Sequence, residues 1–150
     1  MKQVLLALAL GMLGACATIP SDAPPFRPAA DAPAGMANLY VYRSGAYPYL
    51  RGITLTIDGR EYATFAEGAY VVVPVGMGSH EMRVSWPLDV LIPPLRIPIE
   101  IPDEGPYYLK ITSHPEGLGA VVVEVLPLPR TVAEQEMRRC CRLIPIRNAD

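Results

Sequence analysis

Three cysteines, two histidines and a thin scatter of serines are the side chains here able to do nucleophilic, redox or metal chemistry. Cys140 and Cys141 are adjacent, without the two-residue spacer of a redox C-x-x-C motif. A bond between neighbours inside a helix works against disulfide geometry. Flanking Arg138, Arg139 and Arg142 would lower the pKa of an exposed thiol. Three readings stay open for the pair: small buried hydrophobes, a disulfide to a second chain, or a reactive thiol. Cys140 and Cys141 are therefore the candidate disulfide cysteines. His80 and His114 lie in different segments, neither with a Cys, His or Asp at metal-ligand spacing. His80 reads as a core or interface histidine on a face with Met82, Val84 and Trp86, and His114 as a turn residue before Pro115. Ser44, Ser79, Ser85 and Ser113 carry no nucleophile-elbow pattern. No glycine-rich phosphate loop precedes a helix. Asp103 and Glu104, beside Gly105, read as solvated turn carboxylates. The expectation is a non-enzymatic chain with no catalytic residues, no metal and no cofactor.

The third cysteine, Cys16, ends an apolar run close to the start. Met1 and Lys2 are a short basic opening, Val4 to Leu13 is apolar apart from Gly11, and Gly14 and Ala15 are small. That order is the pattern of a secretory signal peptide. The run is too short to span a bilayer, which takes about 20 apolar residues. Leu13, Gly14, Ala15 and Cys16 resemble the lipobox of bacterial lipoproteins. The resemblance implies cleavage before Cys16, a diacylglycerol on its thiol and acylation of the new amine, as with palmitate. Two or more acyl chains anchor stably where one does not. Ala17 stands where inner-membrane retention signals carry Asp, so the resemblance implies an outer-membrane lipoprotein facing the periplasm.

Residues 16–36 read as the lipidated cysteine and a Pro/Ala-rich tether. Pro20, Pro24, Pro25, Pro28 and Pro33 bias it toward extended polyproline II. Its composition offers too little apolar surface to offset the entropy of ordering it. It is expected to be a spacer whose deletion leaves the domain's stability unchanged. Residues 37–150 suffice for one domain. Net charge is −2, and −3 once Lys2 leaves with residues 1–15, which excludes the electrostatic footprint of a nucleic-acid binder.

Short strands follow one another along residues 37–126. "ANLYVYR" is β-branched and aromatic, and "GITLTIDG" alternates strictly before Asp58-Gly59, a tight hairpin turn. "AYVVVPV", "SHEMRVSW", "YYLKIT" and "AVVVEVL" add further strands. Pro98 removes a ladder donor, so "PLRIPIEIP" must lie at an edge or form a flap. Residues 131–143 switch to helical spacing, with Thr131 and Glu134 placed as a capping box. The pattern predicts an all-β fold: an antiparallel β-sandwich of about seven to eight short strands with one C-terminal α-helix.

Taken in order, Tyr40, Tyr42 and Arg43, Asp58 and Gly59, Gly68 and Tyr70, Gly78 and His80, and Tyr107 and Tyr108 resemble a family of small bacterial lipoproteins. Those carry a domain of unknown function distantly similar to PEGA domains. The resemblance implies a β-sandwich in the cell envelope and no particular activity.

All eight tyrosines fall within the domain, a residue type favoured at interfaces and in strands alike. Tyr47, Tyr49 and Arg51 in "YPYLRG" are the candidate contact surface. The expected protein is a lipid-anchored envelope module, held to the membrane by acyl chains on Cys16, that binds or supports another envelope component. The alternative is a periplasmic carrier of a small apolar ligand, which requires a cavity between sheet and helix in place of a filled core.

Overall fold

A computed structural model describes residues 18–46, 52–86, 93–117 and 120–147. Cys16 and the loop residues Tyr47, Tyr49 and Arg51 lie outside the described residues. The fold is an all-β sandwich with one short C-terminal helix. Its elements are β1 (Met36–Ala46), β2 (Ile53–Ile57), β3 (Arg60–Phe65), β4 (Ala69–Gly76), β5 (Gly78–Ser85), β6 (Leu95–Ile101), β7 (Tyr107–Glu116), β8 (Ala120–Pro127), α1 (Arg130–Cys140) and β9 (Arg142–Leu143). One sheet runs β8-β7-β1-β4-β9 and the other β3-β2-β5-β6. Most pairings are antiparallel, as expected, but β1–β7 and β4–β9 are parallel. Parallel neighbours need a crossover, and here the whole second sheet lies between β1 and β7 in the chain.

Strand periodicity puts alternate residues on opposite faces. In β1, Ala37, Leu39 and Val41 face the second sheet, while Tyr40 and Tyr42 face outward under α1. β4 repeats this with Val71, Val73 and Val75 inward and Tyr70 outward, in register with β1. Ile53, Leu55, Ile57, Phe65, Met82 and Val84 supply the opposing wall. Arg43 closes one end of this aliphatic core, buried beside Glu67 at 3.8 Å. Burial pulls its pKa down and the Glu67 charge opposes that pull.

Asp58 and Gly59 both have positive φ, +49° and +80°, as a two-residue type I′ hairpin demands. β6 pairs with β5 only, so Pro98 sits on an edge strand. The helix departs from its expected start and end. Its N-cap is Pro129 with no side-chain cap, and it ends at Cys140 because Cys141 is extended. Glu134 is not the partner of Thr131 in a capping box: it accepts from the Tyr108 hydroxyl and from Arg130 Nε.

The Pro-rich segment also departs from the spacer expected of it. Residues 18–35 lie as a strap against the outer face of the first sheet. Phe26 is 5% exposed, set edge-on against the Tyr40 and Tyr70 rings, and Ala23 is buried too. Leu143 N–H donates to the Pro24 carbonyl, and the Tyr40 hydroxyl accepts from Ala29 N–H at 2.9 Å. Fixed proline φ lowers the entropy lost on ordering, so one aromatic anchor and a few hydrogen bonds suffice to seat the segment.

Candidate binding cleft

The two flanks of the sandwich are built differently. At one flank, β9 adds to β4, and the chain after it crosses to the second sheet. Ile144 N–H donates to the Tyr70 carbonyl and Arg147 N–H to the Tyr62 carbonyl, and Arg147 pairs with Glu61. Ile144, Ile146 and Ile19 pack over the core there.

At the other flank, β6 and β8 each have a strand neighbour on one side only. No described segment bridges them. The inward residues of these strands, Ile97, Ile99 and Val125, with Leu39, Leu109 and Leu128, line a cleft of about 430 Å³ between the sheets. That lies within the usual range for small-molecule sites, roughly 300–1,000 Å³. Pro127 and Pro129 extend one lip, and neither has an N–H to donate there. Val123 and Val125 of β8 are only half-covered, because the second sheet does not reach over them.

A second chamber of about 270 Å³ lies beneath the strap and meets the cleft at Pro106, Tyr108 and Arg130. Its character is polar: Asp31, Asn38, Glu104 and the Tyr40 hydroxyl line it. Glu104 accepts from Gly35 N–H, and Asn38 donates to the Ala30 carbonyl. Tyr108 stacks on Tyr40 with ring centroids 4.7 Å apart and gives its hydroxyl proton to Glu134. Burial and that acceptor push the Tyr108 pKa far up, so the phenol stays neutral. Burial would raise Glu134 as well, but hydrogen bonds from Tyr108, Arg130 and Arg138 outweigh it and hold the carboxylate ionised.

The candidate contact residues Tyr47, Tyr49 and Arg51 lie outside the described residues, and four other tyrosines have a buried role. Tyr40, Tyr42, Tyr70 and Tyr108 form a buried layer between sheet and helix, with Phe26, Ala133 and Met137. This layer fills the space between sheet and helix where the ligand-carrier alternative required a cavity, and the cleft lies between the sheets instead. Each hydroxyl in the layer has a partner, Tyr42 on Glu136 and Tyr70 on the Arg27 backbone among them.

Cys140 and Cys141 are bonded to each other. The helical geometry that argued against this ends at Cys140, and Cys141 is already extended. The pair therefore spans a helix terminus and packs beside Gly68, whose added Cβ would meet the Cys140 carbonyl at 3.3 Å.

His80 is held by Asp58 Oδ2 at Nδ1 (2.6 Å) and by the Gly76 carbonyl at Nε2 (2.8 Å). Both partners are acceptors, so both ring nitrogens must donate, which only the imidazolium can do. Asp58 raises the His80 pKa, and His80 with the Glu81 N–H lowers that of Asp58. His114 is exposed within β7 rather than in a turn. Asp103 is exposed but engaged by Gly105 N–H and the Tyr107 hydroxyl. Among the described residues, no group of three His, Cys, Asp or Glu side chains is placed to hold a metal. No described helix is long and apolar enough to cross a membrane.

No protein-family model, curated protein or solved structure matches this chain. The cleft was missed from sequence because it belongs to no single segment. The signal available was β6, where Ile97, Ile99 and Ile101 present an apolar face on a strand that Pro98 confines to an edge.

Proposed function

We propose that this chain is a non-enzymatic, lipid-anchored protein of the cell envelope whose sandwich holds a small apolar ligand in the cleft between β6 and β8. The open apolar cleft carries the reading. An ordinary sandwich core is packed shut, and a stable fold leaves about 430 Å³ of apolar-lined space at its surface only at some cost in unburied area. Anchoring rests on the leader sequence and Cys16, with an outer-membrane, periplasm-facing position as its corollary. The strap supports a short reach: residues bound to the sheet cannot extend as a spacer, so the domain sits nearer the lipid than a free tether would allow.

The test is titration of the full chain, bearing Cys16→Ser to remove the acyl site, with the apolar dye N-phenylnaphthylamine. Saturable one-to-one binding is expected, and Val125→Lys should abolish it while leaving the circular dichroism unchanged. Unsaturable binding, or binding indifferent to Val125→Lys, overturns the reading. A second reading, a module for another envelope component, is favoured by the unpaired β8 edge, which is available for strand addition. Crosslinking in intact cells through an edge position such as Glu124 would favour it over the carrier. Membrane release of Cys16→Ser checks the anchor.

A further inference from the structure

Resting on the cleft reading above, we infer that the ligand is a single-chain amphiphile with an uncharged, hydroxyl-bearing head, its tail in the apolar cleft and its head in the polar chamber beneath the strap.

The two cavities are neighbours that share the lining residues Pro106, Tyr108 and Arg130 at the end of the sheet, and they differ in chemistry. One offers isoleucine, leucine and valine side chains. The other offers acceptors: the Asp31 carboxylate, the free oxygen of Glu104 and the Asn38 Oδ1. It also offers one buried donor. Tyr40 is 2% exposed, its hydroxyl accepts from Ala29 N–H, and its own proton has no acceptor among the described residues. The hydroxyl lines the chamber with its proton still to give, so a ligand that accepts there adds a hydrogen bond. Hydroxyl groups satisfy both demands at once, accepting from Tyr40 and donating to the carboxylates. A carboxylate or phosphate head can accept from Tyr40 but meets Asp31 and Glu104 as like charges. Arg130, on the shared rim, has its charge paired with Glu134 at 2.8 Å, whereas Asp31 and Glu104 stand in the chamber itself. The strap forms one wall of the chamber through Pro28, Ala29, Asp31 and Ala32, so a segment that reads as spacer contributes part of the head site.

The experiment is calorimetric titration of the Cys16→Ser chain with octyl glucoside, decyl glucoside and decanoate, each kept below micelle formation. Two added methylenes should tighten the glucoside by roughly fifteenfold, about fourfold for each. Decyl glucoside should bind at least tenfold tighter than decanoate. Tyr40→Phe, which keeps the ring stack, should weaken decyl glucoside by roughly three- to tenfold and leave N-phenylnaphthylamine binding unchanged. Exposed Asp31 gives a variant with no folding burden, and Asp31→Lys should reverse the preference toward decanoate. Chain-length dependence with equal binding of decanoate and decyl glucoside, or with no effect of Tyr40→Phe and Asp31→Lys, overturns the head assignment and leaves the cleft standing. No chain-length dependence and no dye binding overturn both.

Discussion

Among the described residues, one flank of the sandwich is laced shut and the other is open, although the same two sheets make both. At the laced flank, β9 and the tail beyond it carry the chain from one sheet to the other, and Ile144, Ile146 and Ile19 close the aliphatic core. At the open flank, β6 and β8 end their sheets with no described segment between them, and comparable aliphatic side chains are left lining a cleft. The difference teaches that apolar residue type does not decide whether a sandwich edge is sealed. Chain ends available to cross it do. Both ends of the described residues come to the laced flank.

Removing the anchors of the laced flank should therefore cost far more than trimming the open one. Phe26→Ala removes a nearly buried ring wedged against two tyrosines and should destabilise the protein by about 3 kcal/mol, read as a fall in the urea midpoint. A true spacer would show no change. Truncation after Leu143 removes two half-buried isoleucines and the Arg147 crossing and should cost about 2 kcal/mol. Val125→Ala on the open flank should cost less than about 1 kcal/mol, since its side chain is already half-exposed. Equal losses at Phe26 and Val125 would erase the distinction between the flanks.

The smallest effect belongs to the Asp58–His80 pair at the hairpin turn. His80 has a pKa raised above 6.5, so its contribution is complete below 6.5 and fades as pH rises through the raised value. Asp58 has a pKa lowered below 3.8, so its contribution is present above 3.8 and fades as pH falls through the lowered value. The pair thus stabilises most between those limits. Asp58 is more than half exposed, and the solvent screening this brings keeps the gain below about 1 kcal/mol. Melting temperature should decline on the alkaline side in the parent chain, and His80→Gln should flatten that decline.

Particular residues mark how much was legible beforehand. Asp58-Gly59 announced its hairpin because positive φ is a local demand that few residues meet. Pro98 announced an edge because a missing N–H cannot serve a central strand. Thr131 and Glu134 misled, since Tyr108, distant in sequence, offers Glu134 a better-placed proton than the local backbone does. The strap misled for the same reason: composition counts apolar residues, whereas Phe26 needs only one prepared slot. Cys140 and Cys141 turned on where the helix stops. The cleft needed the relative placement of β6 and β8, which no local pattern carries.

The alternation of apolar residues, the turn glycines and the strand-breaking prolines were sufficient by themselves to specify a two-sheet β-sandwich with a terminal helix, because each acts through its nearest neighbours along the chain. Tertiary structure alone decided that Phe26 and the tyrosines form a second buried layer, that adjacent cysteines bond across a helix end, and that one flank stays open. Those outcomes depend on which distant segments reach the same place, and the free energy of such a meeting is a property of the assembled surfaces rather than of any stretch of sequence.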